Sequence, residues 1–200
     1  MTKSETSQVW VNAGYEMFAR DGPDGVQIER LARIVDRNKS GFYHHFGDRD
    51  MFFLDLIRHH HQIIDRFCSE ISLLKRFNPD YLELLVKYKT ATLIQMQLRR
   101  HMSNPVFGET FTKVRKKTEK ELLPLLSSYL KIYNNNELVL ELWHNLRDLF
   151  FMRVTWNTMT LDFLCKLVDD YSQVIEKVKR TTYVLDASSL ARIRQTILPK

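Results

Sequence analysis

At 200 residues, 44% hydrophobic and 12% aromatic, the chain has enough apolar side chains to bury a core, which excludes a disordered polymer. Six Gly and five Pro are few for this length and favour long helices over a turn-rich β fold. The net charge of +6 suggests a polyanionic partner, but residues 1–66 hold nine Lys/Arg against ten Asp/Glu, whereas residues 67–120 hold eleven against five.

Other features narrow the class. The longest apolar runs, such as Leu149-Phe150-Phe151-Met152, are cut by charge within four or five residues, so no membrane span is expected. The N-terminal MTKSETSQ has neither an apolar stretch nor a cleavage site, so no secretory signal is expected and a cytoplasmic location is. Cys68 and Cys165 lie far apart and read as small buried hydrophobes in a reducing compartment.

In chain order, Trp10, Ala13, Gly14 and Met17 fall at i, i+3, i+4, i+7 and predict a helix over about 5–20. Asp21-Gly22-Pro23-Asp24-Gly25 is a cluster of breakers and predicts a loop. Ile28, Leu31, Ala32 and Val35 repeat the helical spacing, which breaks at Asp36-Arg37-Asn38 before a second short segment carrying Phe42 and Phe46. Two short helices around a tight turn form a helix-turn-helix, whose second helix is free to enter a DNA major groove.

Gly47-Asp48 ends that segment, and Asp48 is placed to cap the next. Phe53, Ile57, His60, Ile64, Phe67, Ile71 and Leu74 then predict one long helix of roughly 28 residues, about 40 Å at 1.5 Å per residue. Asn78-Pro79-Asp80 and Asn104-Pro105 each read as a cap followed by proline in a first helical turn. Pro124 is expected to kink or end its helix, and Asn134-Asn135-Asn136 to form a loop. Two strong helices follow at about 137–156 and 161–179, the second capped by Thr160, with a last short one between Asp186 and Pro199. No segment shows sustained period-two alternation. The fold class is all-α, with eight to ten helices.

Phe18-Ala19-x-x-Gly22, Leu31-Ala32, Ser40-Gly41-Phe42-Tyr43-x-His45-Phe46, and Arg49 with Phe52-Phe53 together resemble the TetR family of transcriptional regulators, over roughly residues 8–57. The resemblance implies an N-terminal three-helix DNA-binding domain (1–47), joined by the long fourth helix to a helical ligand-binding and dimerisation domain (48–200). It also implies a recognition helix at about Asn38–His44. Arg37, Asn38, Lys39, Ser40 and Gly41 would face the groove or its rim, and Tyr43, His44, His45 and Arg49 the phosphates. Gln27, opening the preceding helix, would add another phosphate contact. The chemistry suits these roles, since Lys and Arg neutralise phosphate while Asn pairs with adenine in the major groove. Three positions depart from the family pattern: Asp36 replaces the turn Gly, Arg37 a small aliphatic, and Val26 the Ser/Thr cap.

The expected partners are a double-stranded DNA operator and a second copy of the chain, because one short helix reads too few base pairs and a twofold pair reads a palindrome. The last two long helices are the natural interface, as an intermolecular four-helix bundle. Met96, Met102, Phe107, Phe111, Trp143, Phe150 and Trp156 are candidates to line a pocket for a largely apolar effector; ordinary core packing explains them equally well. His59-His60-His61 does not make a metal site, since adjacent helical residues point about 100° apart, and His60 belongs to the apolar stripe. No catalytic motif, metal cluster or cofactor fingerprint occurs, so neither enzyme nor cofactor is expected. The function expected is a ligand-responsive homodimeric repressor. The alternatives are an activator of the same fold, or a helical ligand- or partner-binding protein that does not bind an operator.

Overall fold

The computed structural model describes residues 3–178, and the expected helix between Asp186 and Pro199 lies outside them. The described residues are all-α, with no strand among them. In order, the helices are α1 (Lys3–Gly25), α2 (Ile28–Ile34), α3 (Lys39–Phe46), α4 (Arg49–Ile71), α5 (Leu82–Lys87), α6 (Lys89–Arg100), α7 (Pro105–Leu130) and α8 (Asn136–Arg153). A ninth, α9, spans 161–178.

An aromatic core organises the N-terminal end. Phe42 is wholly buried, with its ring 5.6 Å from Trp10, 5.1 Å from Phe46 and 5.1 Å from Phe52. The edge-on contacts with Trp10 and Phe52 fix α3 against α1 and the start of α4. Gly14 makes that approach possible, because a Cβ there would sit 2.4 Å from the Phe52 ring. Phe18 and Phe53 then pack against Phe107 of α7, at 5.5 and 5.7 Å, which ties this end to the remaining helices.

Several expected boundaries differ, each for a local reason. The helical backbone of α1 does not stop before Asp21: it reverses at Gly22 (φ 74°) and makes one more turn through Pro23. Gly22 faces Gln97 of α6 and His101 just beyond it, so α1 is held there by packing as well as by its own backbone. The N-cap of α2 is Gln27 rather than Val26, which is buried one residue earlier. The long fourth helix ends at Ile71, 23 residues rather than about 28, or roughly 35 Å.

Asn78 does not cap a regular helix. Phe77–Tyr81 forms a π-helical turn, and Tyr88 separates α5 from α6. The Asn104 cap is as the spacing predicts, its side chain accepting from the backbone N–H groups of Val106 (3.0 Å) and Phe107 (3.3 Å). Pro124 does not end α7, which runs on to Leu130 while Leu122, Leu125 and Leu126 are buried around it. Burial of one face thus outweighs the hydrogen bond that proline cannot make. Asn135 is no simple loop residue, because it caps α8 through the Leu138 N–H at 3.0 Å. Thr160 caps α9, accepting from Phe163 N–H at 3.3 Å.

Candidate nucleic-acid interface and body cavity

The turn between α2 and α3 is closed by backbone bonds. Arg37 N–H reaches back to Ala32 O (3.0 Å) and Asp36 N–H to Arg33 O (3.3 Å), with Asp36 left-handed at φ 52°. This is the paired closure of a Schellman motif, in which glycine is the usual residue at the left-handed position. The Arg37 guanidinium folds onto the Asp36 carbonyl at 3.0 Å.

Asn38 starts α3, its amide oxygen accepting from Gly41 N–H at 2.9 Å. That oxygen is therefore occupied as a cap, and bidentate pairing with adenine would require its release. The missing side chain of Gly41 points toward this cap and Trp10, where a methyl would make ordinary contacts. Because Phe42 and Phe46 point inward, the helical spacing carries Lys39, Ser40, Tyr43 and His44 onto one outward face. Tyr43 is 50% exposed. His45 is half-buried at the edge of this face, its ring 5.5 Å from His44.

Lys39 makes a 2.9 Å ion pair with Glu29 of α2, and each partner stabilises the other's charge: the Lys39 pKa rises and that of Glu29 falls. Gln27 is exposed and its side chain makes no cap bond. Arg49 sits differently. Its guanidinium donates to the Pro23 carbonyl and lies 5.1 Å from the Phe53 ring, while its Nε is buried without a partner. It braces α4 against the last turn of α1 and is half-buried.

A cavity of about 100 Å³ lies in the body, between α4, the π-helical turn and α5–α9. Of the residues expected to line a pocket, Phe111, Trp143 and Phe150 do so. The other four lie elsewhere. Phe107 packs on Phe18 and Phe53, Met96 is buried away from the cavity wall, Met102 is 39% exposed, and Trp156 is covered by Arg20 (4.1 Å) and Lys89 (4.7 Å).

The residues that sequence reasoning missed are Phe77, Tyr81 and Gln95 on the wall, together with the polar corner around Glu119. Glu119, nearly buried, accepts from Arg115 (3.3 Å), Arg147 (3.2 Å) and His144 (2.7 Å). The i,i+4 spacing of Arg115 and Glu119 was visible beforehand, but such pairs normally face solvent.

Comparison with known proteins agrees with this architecture. Residues 11–56 match the family described as bacterial regulatory proteins, tetR family. The chain is similar in structure to a transcriptional regulator of the TerR/AcrR family from Aquifex aeolicus VF5, with a TM-score of 0.59 at 16% identity over 86% of this chain and 99% of that one. It is also similar to a Mesorhizobium loti MAFF303099 protein assigned to the TetR family, with a TM-score of 0.52 at 12% identity over 87% of this chain and 98% of that one. At such identities the likeness is one of fold. No curated protein matches the sequence. Among the described residues no helix is long and apolar enough to cross a membrane. Residues 11–56 thus match that family's model across α1–α4, and the described residues share the all-α fold of these two solved regulators.

Proposed function

We propose that the chain is a cytoplasmic homodimeric repressor that binds a palindromic operator through α3 and releases it when an apolar effector enters the body cavity. The observation that carries this reading is the split of α3: Phe42 and Phe46 are in the core, while Lys39, Ser40, Tyr43 and His44 share one outward face. Residues 1–47 then act as the DNA-reading domain and 48–200 as the effector and dimerisation domain. The remaining contacts are Gln27, Arg37 and His45 at the rim, with Asn38 and Gly41 placing the start of the helix and Arg49 bracing it.

Dimerisation through α8 and α9 is supported by their exposed apolar side chains, Leu138, Met152 (81% exposed) and Val174. A twofold pair of heads separated by about 34–36 Å reads successive major grooves, and a ligand that changes this separation weakens binding. Such a ligand acts only through its different affinities for the two arrangements.

Selection of bound duplexes from a random pool, followed by mobility shift, is the direct test. A palindrome is expected, and Lys39→Ala should weaken binding to all sequences while flattening the salt slope by about 0.9 for the lost phosphate contact. If no duplex is selected, the chain is a ligand- or partner-binding helical protein. One observation favours that second reading, the excess of acids over Lys/Arg in residues 1–66.

A further inference from the structure

We propose that Gln95, His60 and Tyr15 form a neutral hydrogen-bonded relay from the body cavity to the head, and that the cavity takes a small uncharged apolar molecule bearing one hydrogen-bond donor. The ligand class rests on the reading of the cavity as an effector site.

His60, midway along α4, is fully buried. Its Nδ1 lies 2.7 Å from the Tyr15 hydroxyl on α1, and its Nε2 lies 2.7 Å from Gln95 Nε2 on α6. Three helices therefore meet at one imidazole. In this amide orientation the Gln95 nitrogen donates, so His60 Nε2 accepts and the ring proton is assigned to Nδ1, from which it is donated to the Tyr15 oxygen. Burial, with His61 and His59 alongside, lowers the His60 pKa to about 3 and keeps the ring neutral.

Gln95 is on the cavity wall. With Nε2 engaged by His60, Oε1 is the amide atom not bonded to the ring, and it can only accept. The charged groups of the wall are paired, with Asp148 joining from outside it. Arg115 and Arg147 both donate to Glu119, and Arg147 also donates to Asp148 at 3.0 Å. Each charged group of the wall therefore already has a partner of opposite sign. The volume of about 100 Å³ is about two-thirds of the roughly 150 Å³ of an engineered cavity that holds benzene, so one ring is the upper limit for the occupant and the wall must give slightly to admit it. A donor placed on Oε1 polarises the amide and strengthens its N–H bond to His60. The Nδ1–H bond to Tyr15 strengthens in turn, because chained hydrogen bonds reinforce one another.

Phenol and toluene, which differ by a hydroxyl in place of a methyl, are the probes. By calorimetry on the full chain, phenol should bind about fivefold more tightly than toluene, and Gln95→Leu should remove that preference. Equal affinities, no binding of phenol, or a preference that survives Gln95→Leu would overturn the ligand class. Nitrogen-15 NMR of the histidines should find the His60 proton on Nδ1; a proton on Nε2 overturns the wiring. Phenol should slow amide hydrogen exchange in α1 of the native chain. In Tyr15→Phe, a position outside the cavity wall, phenol should still bind in preference to toluene while the exchange response disappears. A response that persists as well overturns the relay. None of these readouts uses DNA, so a failed duplex selection would remove the operator reading and leave the relay standing, while failed phenol binding would do the reverse.

Discussion

The outward face of α3 and the Glu119 corner of the cavity are both built on ion pairs, and they are opposite in kind. Lys39 and Glu29 meet at 2.9 Å with more than half of each side chain exposed, so water or a phosphate can replace either partner. Glu119 holds three donors from two helices at 2.7–3.3 Å, with little of its side chain or that of Arg147 exposed. The first pair is a contact that can be exchanged. The second is a fixed frame, because removing Glu119 strands Arg147, which water reaches only slightly. Recognition needs the former and a cavity of constant shape needs the latter.

The largest effect should therefore come from Glu119→Ala. It leaves Arg115 without this partner and Arg147 with Asp148 alone, and should lower stability by about 3 kcal/mol in urea denaturation. A loss no greater than that of a surface pair would mean that water already fills this corner.

The second test concerns a buried polar group without charge. The folded His60 pKa, near 3, lies below its ordinary value of about 6.5. As pH falls through 6.5 the unfolded chain takes up a proton that the folded chain refuses. The contribution of His60 is therefore complete above that pH and declines until the folded value is reached. Between pH 8 and pH 5 the loss should be about 2 kcal/mol, measured by denaturation at each pH. Burial also lowers the pKa values of His59 and His61, which adds in the same direction. An NMR titration showing His60 protonated near pH 6 in the folded chain would contradict the neutral relay.

The head was far more legible in the sequence than the cavity, and the reason lies in sequence separation. Phe42, Phe46 and the outward residues of α3 lie within one eight-residue helix, so the 3.6-residue period sorts them without knowledge of any partner. Phe77, Gln95, Phe111 and Trp143 come from four elements, and only the packing of those elements decides which side chains meet. Phe107 illustrates the limit: it had the same apolar pattern as Phe111, yet it faces Phe18 and Phe53 instead. Pro124 and Asn78 misled for a related reason, since local propensity yields to burial.

Asp36 was legible as a departure, and its left-handed φ of 52° gives the departure a measurable consequence. Asp36→Gly should stabilise the chain by about 1 kcal/mol, because glycine enters that conformation without a Cβ penalty. Destabilisation would show that the aspartate side chain contributes a contact that offsets its backbone strain.

The smallest effect on stability, and a clear one on recognition, is expected at Glu29. Because its carboxylate holds the Lys39 ammonium in the free protein, a phosphate must displace it before Lys39 can bind DNA. Glu29→Gln removes this competitor and one negative charge from the acidic head. The denaturation midpoint should not move measurably, as for most exposed pairs. Affinity for duplex DNA should rise a few-fold at low salt, with a steeper salt dependence, since attraction to phosphate is stronger and less of it is already compensated within the chain. The same substitution in a Lys39→Ala background should recover much less of that gain, because the released partner is missing. Equal gains in the two backgrounds would mean that Glu29 acts through general repulsion and that Lys39 does not meet the phosphate.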